Sequence, residues 1–299
     1  MSVEQSSDWR NTRMGSRPAA ESARLVESLE LEVAGETLDL PSFPEVAIRV
    51  RKVLAAEDVD VGEVVRIIGA EPALATRLMQ LANSAALNPS GRRMTDLRAC
   101  VTRMGFNMAR SVTIAFAMAQ LRRAEAYRGI EKPLTELWRE SAQLAATSLV
   151  VARRFTRLNP DTAMTAGLLR NIGRLYLLTR AARFPQVLGD AATYQRIVAD
   201  WQARITKAIL RSWEAADEIV QAVSLAEGPL REHEGDIDLA DVLIVSAAVA
   251  ELGPDPSPQQ LLVLATPAAR RMQLDATACG AALADAHAEI EAIREALDL

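Results

Sequence analysis

The residues best placed to do chemistry in this chain lie together in Ala166-Gly167-Leu168-Leu169-Arg170-Asn171-Ile172-Gly173-Arg174-Leu175. Arg170 and Arg174 are four apart, so a helix running through both would set two guanidiniums on one face, able to clasp a phosphate. The plainer reading pairs Arg170 with an acid on a neighbouring helix. Asn83-Ser84 closes an apolar helical pattern and reads as a C-terminal turn, with a pocket or interface role as the alternative. Asp236, Asp238 and Asp241 form the carboxylate cluster worth testing, but Asp236-x-Asp238 lacks the glycine and terminal glutamate of a calcium loop. Capping of the helix that follows is the expected role. The two histidines, His233 in an acidic loop and His287 near the C-terminus, are expected on the solvated surface. Cys100 and Cys279 have no second cysteine or histidine close in sequence and read as structural thiols. No metal and no other cofactor is expected.

Arginine is unevenly spread. Between positions 92 and 128 lie Arg92, Arg93, Arg98, Arg103, Arg110, Arg122, Arg123 and Arg128, against the acids Asp96 and Glu125. From Pro254 onward acids outnumber bases. Solvated helix faces explain such runs, and a patch docking an acidic partner, or the chain's own acidic tail, is the functional alternative. The net charge of −5 argues against non-specific binding to nucleic acid or anionic membrane.

The elements that must carry these groups are helices. The composition is 49% apolar but only 4% aromatic, so the core is aliphatic, and its alanine and leucine are strong helix formers. Valine and isoleucine fall at helical spacing and not in alternating runs. The chain therefore reads as all-α. Residues 1–37 form a flexible segment, disordered through residue 19, with one helix over Ser22–Val33. Asp60 caps a helix at Val61–Gly69, and Pro72 opens one whose Leu74, Leu78 and Leu81 share a face. Thr95 is expected to cap a helix ending at Gly105, and Asn107 one reaching Tyr127. After a break at 128–133 come helices over Leu134–Phe155, Thr162–Leu169, Ile172–Thr179, Ala192–Leu210, Ala215–Ala226 and Leu239–Leu252. Gly253-Pro254-Asp255-Pro256-Ser257-Pro258 is a stop. A helical tail over 254–299 ends in Ala286–Leu297. The polar N-terminus has no apolar signal region, and no apolar run reaches the ~18 residues of a membrane helix. A cytoplasmic protein without membrane association is the expectation.

Two stretches together resemble the HDOD (HD-related output) domain of bacterial signalling proteins. The first is Leu40-Pro41-Ser42-Phe43-Pro44-Glu45-Val46-Ala47, followed by Glu71-Pro72-Ala73-Leu74-Ala75-Thr76-Arg77-Leu78-Met79-Gln80-Leu81-Ala82-Asn83-Ser84-Ala85, then Thr95-Asp96-Leu97 and Arg103-Met104-Gly105. In the second half Trp138-Arg139-Glu140-Ser141 matches Trp-x-x-Ser, and Gly167-Leu168-Leu169 with Ile172-Gly173 matches Gly-Leu-Leu-His-Asp-Ile-Gly. Ile209-Leu210-Arg211-Ser212-Trp213 fits Leu-Leu-x-x-Trp. The resemblance covers about residues 38–253 and implies a multi-helix bundle of two packed subdomains, 38–130 and 131–253, related to HD-type phosphohydrolases.

In those enzymes histidines and aspartates hold metals that activate water on a phosphate ester. This chain departs from that set wherever the two align. Arg170-Asn171 stands for the His-Asp pair and Ser141 for a helical histidine. Trp201-Gln202-Ala203 offers no histidine, a later His-His pair falls near Ala226-Glu227, and the last aspartate near Ala247. A guanidinium is no metal ligand and stays charged, so Arg170 would repel a cation. The resemblance thus implies a non-catalytic module that binds other signalling proteins, with self-association left open. A nucleotide or phosphate sensor using Arg170, Asn171 and Arg174 is the alternative, and a phosphohydrolase with rearranged ligands the third reading.

Overall fold

The computed structural model describes residues 16–35, 38, 48–50, 53, 59–84, 87–88, 91–121, 127–213, 215–226, 228–252, 257, 260–274 and 276–297. Every regular element among them is helical. The Leu40–Ala47 stretch and Arg122 and Arg123 lie outside the described residues.

Helix α1 (Ser16–Ala34) begins earlier than the disorder expected through residue 19 allows. Pro18 sits in its first turn, where the missing N–H has no intrahelical partner to lose. Helix α2 (Val61–Gly69) is capped by Asp60, whose carboxylate accepts from Gly62 N at 2.9 Å and Glu63 N at 3.2 Å. Helix α3 (Pro72–Ala82) starts on Pro72 and buries Leu74, Leu78 and Leu81. Helix α4 (Leu97–Leu121) corrects one expectation. Asp96, not Thr95, caps it, accepting from Ala99 N at 2.8 Å. Gly105, at φ 79°, breaks α4 where a stop was expected; that backbone conformation costs glycine nothing.

The second half is built on helix α5 (Glu131–Phe155), which packs along α6 (Pro160–Leu169). Asn159 caps α6 and Pro160 opens it. Helices α7 (Ile172–Ala181), α8 (Pro185–Gly189), α9 (Ala191–Ser212), α10 (Asp217–Leu225) and α11 (Leu239–Ala250) follow. The five-residue α8 has no apolar period of its own to reveal it. Asp238 and Asp241 form a capping box at the start of α11, the expected role of that acidic stretch.

Two glycines set how closely these helices cross. A Cβ on Gly167 would lie 2.7 Å from Ser148 Oγ and 2.9 Å from the Leu144 carbonyl of α5. On Gly173 it would lie 2.3 Å from Thr206 Oγ1 and 2.4 Å from the Gln202 carbonyl of α9. The glycines of the Gly-Leu-Leu-x-x-Ile-Gly pattern are therefore packing residues: they let α6 touch α5 and α7 touch α9.

The tail is part of the body. After a 3₁₀ turn (Gln260–Leu264) come α12 (Pro267–Arg271) and α13 (Ala276–Leu297). Helix α13 starts ten residues before the expected Ala286, its alanine-rich first half carrying Gly280 at a cost of only about 1 kcal/mol. It packs against α5 through Ala286, Ile290, Ile293 and Leu297, all buried. Buried side chains from α1 through α13 join one hydrophobic core. No helix among the described residues is long and apolar enough to cross a membrane.

Candidate functional site

The helix is broken between Arg170 and Arg174, at the gap expected between Leu169 and Ile172. Arg170 ends α6 and Asn171 (φ −94°, ψ 9°) precedes α7, so the two arginines do not share an uninterrupted helix face. Arg170 Nη2 donates to the Ala226 carbonyl at 2.8 Å, at the end of α10. Asn171 Nδ2 donates to Ser141 Oγ at 3.3 Å, and that buried hydroxyl donates in turn to the Leu137 carbonyl at 2.9 Å. Arg174 pairs with Glu140 of α5 at 2.5 Å. On the other side of the turn, Gly173 N donates to Thr206 Oγ1 at 3.2 Å.

Around this turn opens a cavity of about 850 Å³. Helix α5 gives Glu136, Arg139, Glu140 and Gln143, spaced to share one face. The turn contributes Arg170, Asn171 and Arg174, and α9 contributes Gln202. The end of α11 adds Ala247, Ala250 and Glu251 with Leu252 beyond it, and α13 closes the cavity with His287, Glu291 and Arg294. A smaller cavity of about 310 Å³, between α9 and α10, shares Arg170 and Gln202 with it. The positions matched to lost ligands, at 141, 170, 171, 202, 226 and 247, are thus brought together by the fold. His287 corrects an expectation: it is half-buried in this cavity, held there by the packing of α13.

A metal does not fit the residues at this turn. The described matched positions present a guanidinium, a carboxamide, a hydroxyl, a glutamine and two alanines, with no imidazole or carboxylate among them, and Glu227 of the matched pair lies outside the described residues. Among the described residues the His, Asp, Glu or Cys trio whose ligand atoms converge is elsewhere: His233, Asp238 and Asp241 at the start of α11. There Asp241 is fully buried and accepts from Arg271 Nη2 at 2.6 Å and Nε at 3.0 Å, and from Arg231 Nη1 at 3.3 Å. Burial alone would raise its carboxyl, but the hydrogen bonds from Arg271, His233 and the Asp238 backbone outweigh it, and the net shift is downward. Two guanidiniums already occupy the space a cation would need. His233, expected in solvent, instead places Nε2 3.0 Å from Asp241 Oδ2, because the loop before α11 folds back over the cap.

Asn83 and Ser84 lie away from the turn. Asn83 Nδ2 donates to the Met79 and Met94 carbonyls, both at 2.8 Å, and its Oδ1 accepts from Met94 N at 2.7 Å. It latches the 91–96 segment to α3 and lines a groove of about 770 Å³ together with Arg93. Ser84 Oγ is buried without a hydrogen-bond partner among the described residues and does not line that groove. Arg92, Arg93, Arg98 and Arg103 are exposed, as a docking patch requires. Arg110 is not part of such a face: it is half-buried in α4, and burial lowers its pKa from the ordinary value.

Sequence reasoning missed Arg139, Gln143, Glu251, Glu291 and Arg294 as lining residues. Their polar stripes at three- and four-residue spacing were visible, but a solvated helix face has the same signature.

Comparison with known proteins agrees with the helical fold. No curated protein matches the chain. Among solved structures, a presumed metal-dependent phosphohydrolase from Shewanella amazonensis SB2B is 26% identical, with a TM-score of 0.73 over 93% of this chain and 99% of its own. An HDOD domain protein of unknown function from Geobacter sulfurreducens is 17% identical, with a TM-score of 0.62 over 95% of this chain and 98% of its own. A presumed signal transduction protein from Marinobacter aquaeolei VT8, also 17% identical, gives 0.61 over 95% of this chain and 67% of its own. The family model described as the HDOD domain matches residues 40–229, from the proline-rich entry through the signature turn to the end of α10, and the chain belongs to that family.

Proposed function

We propose that the protein is a signal-transduction module that works by binding other signalling proteins and performs no hydrolysis at its signature turn. The observation that carries this reading is the Arg170 guanidinium standing in the turn and bound to the Ala226 carbonyl, where the chemistry of an HD-type site calls for a metal ligand. Membership of the HDOD family supports the signalling role. The partner surface proposed is the exposed set Arg92, Arg93, Arg98 and Arg103 beside the Asn83–Arg93 groove, facing an acidic protein segment. The protein is placed in the cytoplasm on this reading, with nucleic acid disfavoured by its net charge of −5.

The reading is tested by crosslinking the wild-type chain and an Arg92→Glu/Arg93→Glu/Arg98→Glu/Arg103→Glu variant in cell extract. The expected outcome is a discrete partner set captured by the wild type and lost from the variant. Equal capture by both would remove the arginine face from the proposal, and a stoichiometric transition metal in the purified protein would remove its non-catalytic part. A phosphate or nucleotide held by Arg170 and Arg174 would first have to compete with Ala226 and Glu140, so this second reading ranks lower.

A further inference from the structure

The cavity beneath α13 holds polar groups that a protein-docking role leaves unused. Helix α13 is three-sided. Ala286, Ile290, Ile293 and Leu297, spaced four, three and four apart, are buried in the core. Glu289 turns toward Arg153 and Arg154 of α5, each 2.9 Å away. The third stripe, His287, Glu291 and Arg294, faces the cavity. The helix is thus fixed on two sides in the orientation that aims this stripe inward, although it lies wholly beyond the family-matched residues 40–229.

Four arginines and four glutamates line the cavity. Some neutralise one another: Arg294 with Glu291 at 2.6 Å, and Arg174 with Glu140. Glu136, Arg139, Gln143, Gln202, Glu251 and His287 have no side-chain hydrogen-bond or ion-pair partner among the described residues. These unused groups come from α5, α9, α11 and α13, so they line the cavity from four elements, with Glu136, Arg139 and Glu251 exposed to solvent. Their charges are mixed. A purely anionic ligand would meet carboxylates and a purely cationic one guanidiniums, and like charges at contact distance repel. A molecule carrying both charges avoids either cost, and the volume falls in the about 300–1,000 Å³ of small-molecule sites.

We propose that this cavity binds a small zwitterion bearing one anionic group and one ammonium, with Arg139 and His287 facing the anion, Glu251 facing the ammonium, and α13 as an indispensable wall. The proposal stands whether or not the arginine face docks a protein. The anion is a carboxylate or a phosphate.

The full chain is titrated by calorimetry with glycylglycine (carboxylate and ammonium) and O-phosphoethanolamine (phosphate and ammonium). Acetate, inorganic phosphate and ethylamine serve as single-charge controls. The same additions are followed by NMR of the imidazole signals. The chain has two histidines, so His287→Ala assigns both. One zwitterion should bind at least about tenfold more tightly than either of its halves. It should move the His287 signals and leave those of His233 in place, and the tighter of the two identifies the anion. Arg139→Ala should weaken binding by about tenfold or more with the His233 signals unchanged, since Arg139 is exposed and holds nothing else in place. Absence of binding by both zwitterions, equal binding by the single-charge halves, movement of His233 instead of His287, or full affinity in Arg139→Ala would each overturn the proposal.

Discussion

The Arg170 guanidinium and the Ala226 carbonyl meet at 2.8 Å, tying the α6–α7 turn to the end of α10 across 56 residues. Arg170→Met keeps the aliphatic stem and removes the donor, leaving a buried carbonyl short of a partner. A loss of about 1–3 kcal/mol is expected in urea denaturation. An unchanged midpoint would show that the contact contributes nothing to the fold.

Restoring the family pair should not restore a metal site. Arg170→His combined with Asn171→Asp supplies two ligands, but Ser141, Gln202, Ala226 and Ala247 remain in other matched positions and Glu227 is the one carboxylate among them. Two new ligands and a single further carboxylate fall short of the converging set such a site needs. Elemental analysis of the purified double variant is expected to find no stoichiometric transition metal.

Gly173→Ala should be costly and Gly228→Ala should not. The added methyl at 173 would fall within 2.4 Å of both Thr206 Oγ1 and the Gln202 carbonyl, and the second of these is backbone that cannot swing aside. Nothing lies within 4 Å of a methyl at 228. Overpacking of this kind costs about 1–3 kcal/mol or more. Chemical denaturation of the two variants side by side should separate them by at least that amount.

Acid should unfasten the start of α11. Asp241 and Asp238 are each raised by burial, yet their hydrogen bonds, chiefly from Arg271 and Arg231 respectively, bring the net pKa of both below the usual carboxylate value. A carboxyl depressed in the folded state stabilises it above the unfolded pKa, about 3.9, and that stabilisation is lost as pH falls through the folded pKa. The urea midpoint of the wild type should therefore drop steeply with acidification below about pH 4, and less steeply in Asp241→Asn, which starts from a lower plateau. Parallel curves would show that Asp241 is not the group responsible.

Helix type and most starts were legible because caps and prolines act locally. Asp60 and Pro72 each declare a first turn whatever surrounds them. The Thr95 cap failed because two adjacent residues could both serve, and the side chain that reached Ala99 N belonged to Asp96. The turn at Arg170-Asn171 was legible as a site, but its partners were not. Ser141 and Ala226 are 30 and 56 residues away, and nothing local says that a guanidinium will find a carbonyl. The lining stripes on α5 and α13 were hidden for another reason. A polar stripe facing water and one facing a cavity are identical until the helices are packed.

The buried Asp241 limits where this protein can be divided. Its guanidinium partner Arg271 lies some 40 residues past the last family-matched position, and α11 itself, beyond residue 229, covers α5. A fragment cut to 40–229 would carry the whole recognisable signature, yet leave the flank of α5 bare to water and its Arg153 and Arg154 without the Glu289 that α13 brings. Such a fragment should aggregate when transplanted into another protein. The stretch that marks kinship here is shorter than the stretch that can stand alone.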